Sequence, residues 1–123
     1  MAWIWWVFTS GISGAMAISF DAYLSHALKP RLSLVQLEKL ELGVKYQIIH
    51  TLALIAVAFT ATQFDNHALH AAGFCFLIGL FCFSGGLYAV NLGGLIQFSR
   101  IIPFGGVALI LGWLLLSVSV LIK

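Results

Sequence analysis

Four long stretches of this chain carry no Asp, Glu, Lys or Arg. They are residues 2–20, residues 46–64 between Lys45 and Asp65, residues 71–99 between His70 and Arg100, and residues 101–122. Apolar residues follow one another within them without alternation. That argues against a membrane barrel, whose strands alternate polar and apolar positions over about ten residues. A helix needs about 20 apolar residues to cross a hydrocarbon layer about 30 Å thick, since each residue rises about 1.5 Å. The pattern predicts an all-α transmembrane four-helix bundle. It forms a single integral membrane domain over residues 1–123, with spans at about 2–24, 44–64, 70–91 and 100–122. Short connections make consecutive helices antiparallel neighbours, in up-down-up-down order.

Composition sharpens this reading. The chain is 62% hydrophobic and 8% charged, with a mean hydropathy of +1.07, whereas a soluble domain carries roughly 25% charged residues. Too little polar surface remains to cover a water-facing globule. The net charge of +2 rests on ten Lys, Arg, Asp and Glu side chains, which provide no phosphate-binding patch. Membrane lipid is the expected surrounding, and nucleic acid is not an expected partner. The first span lacks a basic leader and opens on Trp3-Ile4-Trp5-Trp6, so it reads as a retained helix rather than a signal peptide.

Basic residues set the orientation. Lys29, Arg31, Lys39, Lys45 and Arg100 fall in the first and third connections, and the second connection has none. Basic connections stay cytoplasmic, so both termini are expected outside the cytoplasm. Trp3, Trp5 and Trp6 then sit in the outer interfacial belt and Tyr23 near the inner one.

The first connection carries further signals. Pro30 ends the first helix, and Ser33 with Gln36 three residues on has the spacing of a capping box. After it, Leu37, Leu40 and Val44 share one helical face, and Glu38, Glu41 and Lys45 another. Two forms fit: a short interfacial helix on the cytoplasmic surface, or a helical extension of span two. The second connection turns at Asp65-Asn66-His67, and the third at the glycines of Asn91-Leu92-Gly93-Gly94.

Polar residues inside a membrane are costly, which makes each one a candidate site residue. Asp21, His26, Tyr46, Gln47, His50, Thr51, Ser84, Tyr88, Asn91 and Arg100 all map to the cytoplasmic end of the bundle in this orientation. The intramembrane candidates are His26, Tyr46, Gln47, His50, Ser84, Tyr88 and Arg100. One reading makes them interhelical glue, at about 0.6 kcal/mol per hydrogen bond. The other makes them a small polar cavity for a headgroup, a quinone or a proton path, with His50 titrating. His67 and His70 lie near water at the far side with no third ligand, so no metal is expected. No cofactor is expected either. Cys75 and Cys82 lie on one helix, too far apart to bridge, and read as small hydrophobes. Ser10 with Gly14, Cys75 with Gly79, and Gly85 with Ala89 have the spacing that lets membrane helices approach closely. Gly105-Gly106 after Pro103 marks a kink or a close crossing.

Three motifs carry a family resemblance. Tyr46-Gln47-Ile48-Ile49-His50-Thr51-Leu52-Ala53-Leu54 resembles the Y-Q-x-x-H-x-L-A-L signature of the DUF423 family of small membrane proteins. Phe83-Ser84-Gly85-Gly86-Leu87-Tyr88 is similar to its F-S-G-S-L-Y motif. Pro103-Phe104-Gly105-Gly106 with Gly112-Trp113 is similar to its P-x-G-G and G-W pair. Where the family shows G-A-F-G-A-H, this chain has Asp21-Ala22-Tyr23-Leu24-Ser25-His26, of which Ala22 and His26 match. The resemblance implies a four-span protein of the bacterial cytoplasmic membrane, and no established activity.

With no catalytic constellation, the expectation is a non-enzyme that acts by helix packing, as a homo-oligomer or an accessory subunit of a larger membrane complex. A lipid-headgroup or quinone-binding protein is the alternative. An oligomeric channel or transporter is a weaker one, since four short helices leave little room for a pore.

Overall fold

A computed structural model describes residues 1–122. It contains four helical stretches long and apolar enough to cross a membrane. The first is α1 (Trp3–Tyr23), prolonged by a π-helical turn (Leu24–Leu28) and a 3-10 turn (Lys29–Arg31). The second is α2 (Leu34–Ala61). The third consists of α3 (His67–Gly79), a π-helical turn (Leu80–Ser84) and α4 (Gly85–Asn91). A 3-10 turn (Ile96–Arg100) precedes the last helix, α5 (Ile102–Ser119).

Local chemistry fixes the ends. The Ser33 hydroxyl accepts from the Gln36 N–H at 3.1 Å while the Ser33 N–H donates to Gln36 Oε1 at 3.0 Å, a complete capping box. Gln36 Nε2 also donates to the Asn91 carbonyl at 3.2 Å, tying the start of α2 to the end of the third span. At the opposite end, Asn66 Oδ1 accepts from the Leu69 N–H and caps α3, and its Nδ2 donates to the Ser119 carbonyl at 2.8 Å. Gly94, with φ of +68°, makes the left-handed turn between the third and fourth spans, a conformation that costs other residues strain.

The connection between spans one and two resolves in favour of the extension. α2 is one helix of 28 residues beginning at Leu34, ten residues before the span predicted from residue 44, and no separate interfacial helix forms. The reason is packing. Leu40 is fully buried and Val44 nearly so, so the face expected to lie on a lipid surface is packed inside the bundle. Gly43 faces Tyr88 so closely that an added Cβ would lie 2.6 Å from its ring.

The helices form a rhombus rather than a square. α2 and the third span pack together along the short diagonal; α1 lies along α2, and α5 lies along the third span. Half of the most apolar window of α2 is buried, and 39% of the third span's, against 17% for each of the first and last. Ala53, Leu54, Val57, Phe76 and Leu109 fill the centre. The tightest crossing is at Gly105, where an added Cβ would stand 2.4 Å from the Phe83 backbone nitrogen. This is the close crossing expected at Gly105-Gly106, made against the π-helical turn.

One aromatic departs from expectation. Trp3 and Trp5 point outward, but Trp6 is only 5% exposed. Its indole lies over Gly73 on α3, where the absent side chain leaves room for the ring.

Candidate functional site

Three sets of polar side chains link the helices. The first centres on Gln47, buried near the middle of α2. Its Nε2 donates to the Ser13 carbonyl of α1 at 3.1 Å, and its Oε1 accepts from the Tyr88 hydroxyl of α4 at 2.8 Å. The hydroxyls of Ser13 and Thr51 lie 2.7 Å apart. One turn away, the buried Ser84 hydroxyl donates to the Gly43 carbonyl at 2.7 Å. Gly43 makes this arrangement accessible, since any side chain there would displace the Tyr88 ring. Three helices are thereby joined.

The second set holds His50. The Trp113 indole N–H lies 3.0 Å from His50 Nε2. An indole nitrogen only donates, so Nε2 is the acceptor and Nδ1 carries the proton, donating to the Tyr46 carbonyl at 2.8 Å. Both ring nitrogens are hydrogen-bonded within the protein. Phe76 packs against both His50 and Trp113, seated against Gly112.

A third set lies at the opposite end. Trp6 Nε1 donates to His70 Nδ1 at 3.0 Å, so the His70 proton sits on Nε2 and faces Asp65 Oδ1. His70 is thus paired with Trp6 and Asp65, and not with His67. Among the described residues no three His, Cys, Asp or Glu side chains are grouped to hold a metal ion.

The candidates from sequence separate. Tyr46, Gln47, His50, Ser84 and Tyr88 are brought together around the middle of α2. His26 and Arg100 are exposed and stand outside this group. The cluster is therefore not at the end of the bundle: α2 starts so far before Tyr46 that what reads as the mouth of span two is its middle. Ser13, Trp113, Trp6 and Asp65 belong to these sets and escaped sequence reasoning; the partners of the first three lie 34 to 64 positions away along the chain, whereas Asp65 meets His70 only five residues on. Only the tryptophans carried a signal, as side chains whose N–H needs an acceptor when buried.

Two clefts open where the rhombus leaves helices apart. One, of about 280 Å³, lies between α1 and the third span, with Ser13, Gln47, Ser84 and Tyr88 at its floor. The other, of about 550 Å³, lies between α2 and α5 and is lined by Tyr46, His50, Phe83 and Trp113. Every buried side-chain nitrogen and oxygen among the described residues has a hydrogen-bond partner, so the polar sets close on themselves, as interhelical bonds do.

Comparison with known proteins agrees with the motifs. A family model described as "Protein of unknown function (DUF423)" matches residues 20–106. A UPF0382 membrane protein of Haemophilus influenzae is 33% identical over 106 residues, covering 86% of this chain and 85% of the relative. The UPF0382 membrane protein YwdK of Bacillus subtilis is 29% identical over 114 residues, 92% of this chain and 93% of YwdK. The UPF0382 inner membrane protein YgdD of Escherichia coli K12 is 28% identical over 110 residues, 89% and 84% of the two chains. No solved structure matches.

Proposed function

The chain belongs to the DUF423 family, and on that premise we propose that it is a non-catalytic protein of the bacterial cytoplasmic membrane that acts by helix packing, as a homo-oligomer or as the accessory subunit of a larger membrane complex. The observation that carries this reading is the outward face of α1. Gly11, Ala15 and Ser19 follow one another there at four-residue spacing, all exposed, and a Cβ added at Gly11 would meet nothing within 4 Å. Small residues in this pattern let a second membrane helix approach to backbone contact. Ser10 and Gly14, which have the same spacing, are used inside the bundle against α2, where Gly14 meets Thr51.

The contrast supplies the test. Gly11→Leu adds bulk where no intramolecular neighbour stands and removes a helical glycine, so helicity and unfolding midpoint in mild detergent should equal or slightly exceed the wild-type values. Association should weaken by roughly 1–3 kcal/mol, the usual cost of forcing bulk into a close contact, seen in native mass spectrometry or crosslinking in membranes. A variant that assembles like the wild type, or a wild type that is strictly monomeric and recovers no partner, rules the reading out.

The orientation belongs to the same proposal. The connection bearing Asp65 is placed outside the cytoplasm, and the basic connections bearing Arg31 and Arg100 inside. In a chain whose Cys75 and Cys82 are replaced by Ala, Gln63→Cys should react with a membrane-impermeant maleimide on intact cells. Gln97→Cys should react only after the cells are opened. The reverse pattern would invert the topology.

A further inference from the structure

Among the polar side chains that line the two clefts, a single group makes no hydrogen bond to any of the described residues. Thr9, Ser13, Gln47, Ser84 and Tyr88 in the first cleft are all bonded, and so are His50 and Trp113 in the second. The Tyr46 hydroxyl is not, although the Tyr46 carbonyl serves His50. Its ring is held between His50, stacked at 5.8 Å, and Phe83, at 4.8 Å, so the hydroxyl cannot swing away to a distant partner. Nor is it enclosed by protein, because no buried oxygen among the described residues lacks a partner. Tyr46 lines the cleft between α2 and α5, and a hydroxyl left unpaired away from water is costly.

We propose that the cleft between α2 and α5 binds a lipid-soluble molecule that presents one carbonyl oxygen to the Tyr46 hydroxyl. The number of polar groups sets the chemistry. His50 and Trp113 are spent on each other, so the wall offers one O–H donor and otherwise apolar and aromatic surface from Phe83, Ile110 and Trp113. A carbonyl satisfies that donor and introduces no donor of its own. The volume, about 550 Å³, is that of a small-molecule site. Two membrane-soluble sources offer such an oxygen: the ring carbonyl of a prenylated quinone and the ester carbonyl of a phospholipid. The site is separate from the outward face of α1 and stands or falls without it.

The test uses the full chain in maltoside micelles, free of ester lipid. It is titrated in one arm with a short-chain prenylated benzoquinone and in the other with a diacyl phospholipid, each labelled with ¹³C at the carbonyl. Binding is read by native mass spectrometry, and the hydrogen bond by the infrared carbonyl stretch. A saturable adduct with a down-shifted stretch in either arm supports the proposal, and the arm identifies the source. Tyr46→Phe should abolish the down-shift and weaken binding about threefold to tenfold, the worth of one hydrogen bond. Gly106→Leu should block the site, since a Cβ there meets only the Phe83 ring at 3.8 Å and the added side chain fills the cleft. Its unfolding midpoint confirms that the bundle persists. No saturable binding in either arm, or a Tyr46→Phe chain that binds with unchanged affinity and stretch, overturns it.

Discussion

Gly105→Ala is expected to destabilise the bundle by an amount at the upper end of about 1–3 kcal/mol, the range for adding bulk to a filled contact. A single methyl group is enough because of what it meets. The new Cβ would stand 2.4 Å from the Phe83 backbone nitrogen and 2.8 Å from the Cys82 carbonyl carbon. Backbone atoms held in a helical turn cannot rotate aside. At Gly73 and Gly112 the nearest atoms belong to the side-chain rings of Trp6 and Phe76 rather than to the backbone. The neighbouring Gly106→Ala is the control. Nothing lies nearer than 3.8 Å to its added Cβ, and replacing a helical glycine by alanine gains roughly 0.5–1 kcal/mol of backbone preference. Unfolding followed by circular dichroism during titration into sodium dodecyl sulfate should move the two midpoints in opposite directions. Equal midpoints would mean that α5 and the third span are not in backbone contact at this crossing.

The crossing also marks the limit of what the sequence conveys. Gly105-Gly106 after Pro103 signals a close approach, but not what is approached. The partner is the π-helical turn Leu80–Ser84, which reads as an unremarked part of an apolar run. The four spans were legible because hydrocarbon demands long uncharged helices. The capping box at Ser33 was legible because its two residues lie three apart. Which face of each helix points inward was not. In water a helix shows its inner face by a stripe of apolar residues, but here lipid covers the outer face, and Phe104 outside is no more apolar than Phe76 inside. The length of α2 was obscured for a related reason. Its charged residues Glu38, Glu41 and Lys45 look like a surface segment, while Leu40 and Val44 on the other side of the same turns are buried. Of the site, the residue types on α2 and α4 were legible and the pairing was not. Gln47 with Ser13, and His50 with Trp113, are separated by 34 and 63 positions, and only the folded bundle brings each pair together.

Trp6→Ala should be the second severe substitution, because Trp6 carries three contacts at once. It is nearly fully buried, its indole donates to His70, and its ring packs edge-on against Phe74 at 5.1 Å. Truncating a buried tryptophan typically costs about 3–5 kcal/mol. The loss falls where α1 has little else to hold it. From the third span, α1 is otherwise met chiefly at its far end, where Phe20 meets Tyr88 at 4.8 Å, with the open cleft between. Without Trp6 the start of α1 should separate from α3 while its middle stays bound to α2 through Ser13 and Gln47. Amide exchange in micelles should therefore accelerate over the first turns of α1 before it does so in α2. Trp6→Phe separates the causes, since it keeps most of the ring volume over Gly73 and removes only the N–H. His70 Nδ1 then loses its donor, and because His70 is partly exposed, the cost should fall near the low end of about 1–3 kcal/mol. If Trp6→Phe proved as damaging as Trp6→Ala, the bond to His70, rather than the burial of the ring, would be what fastens α1 to the bundle.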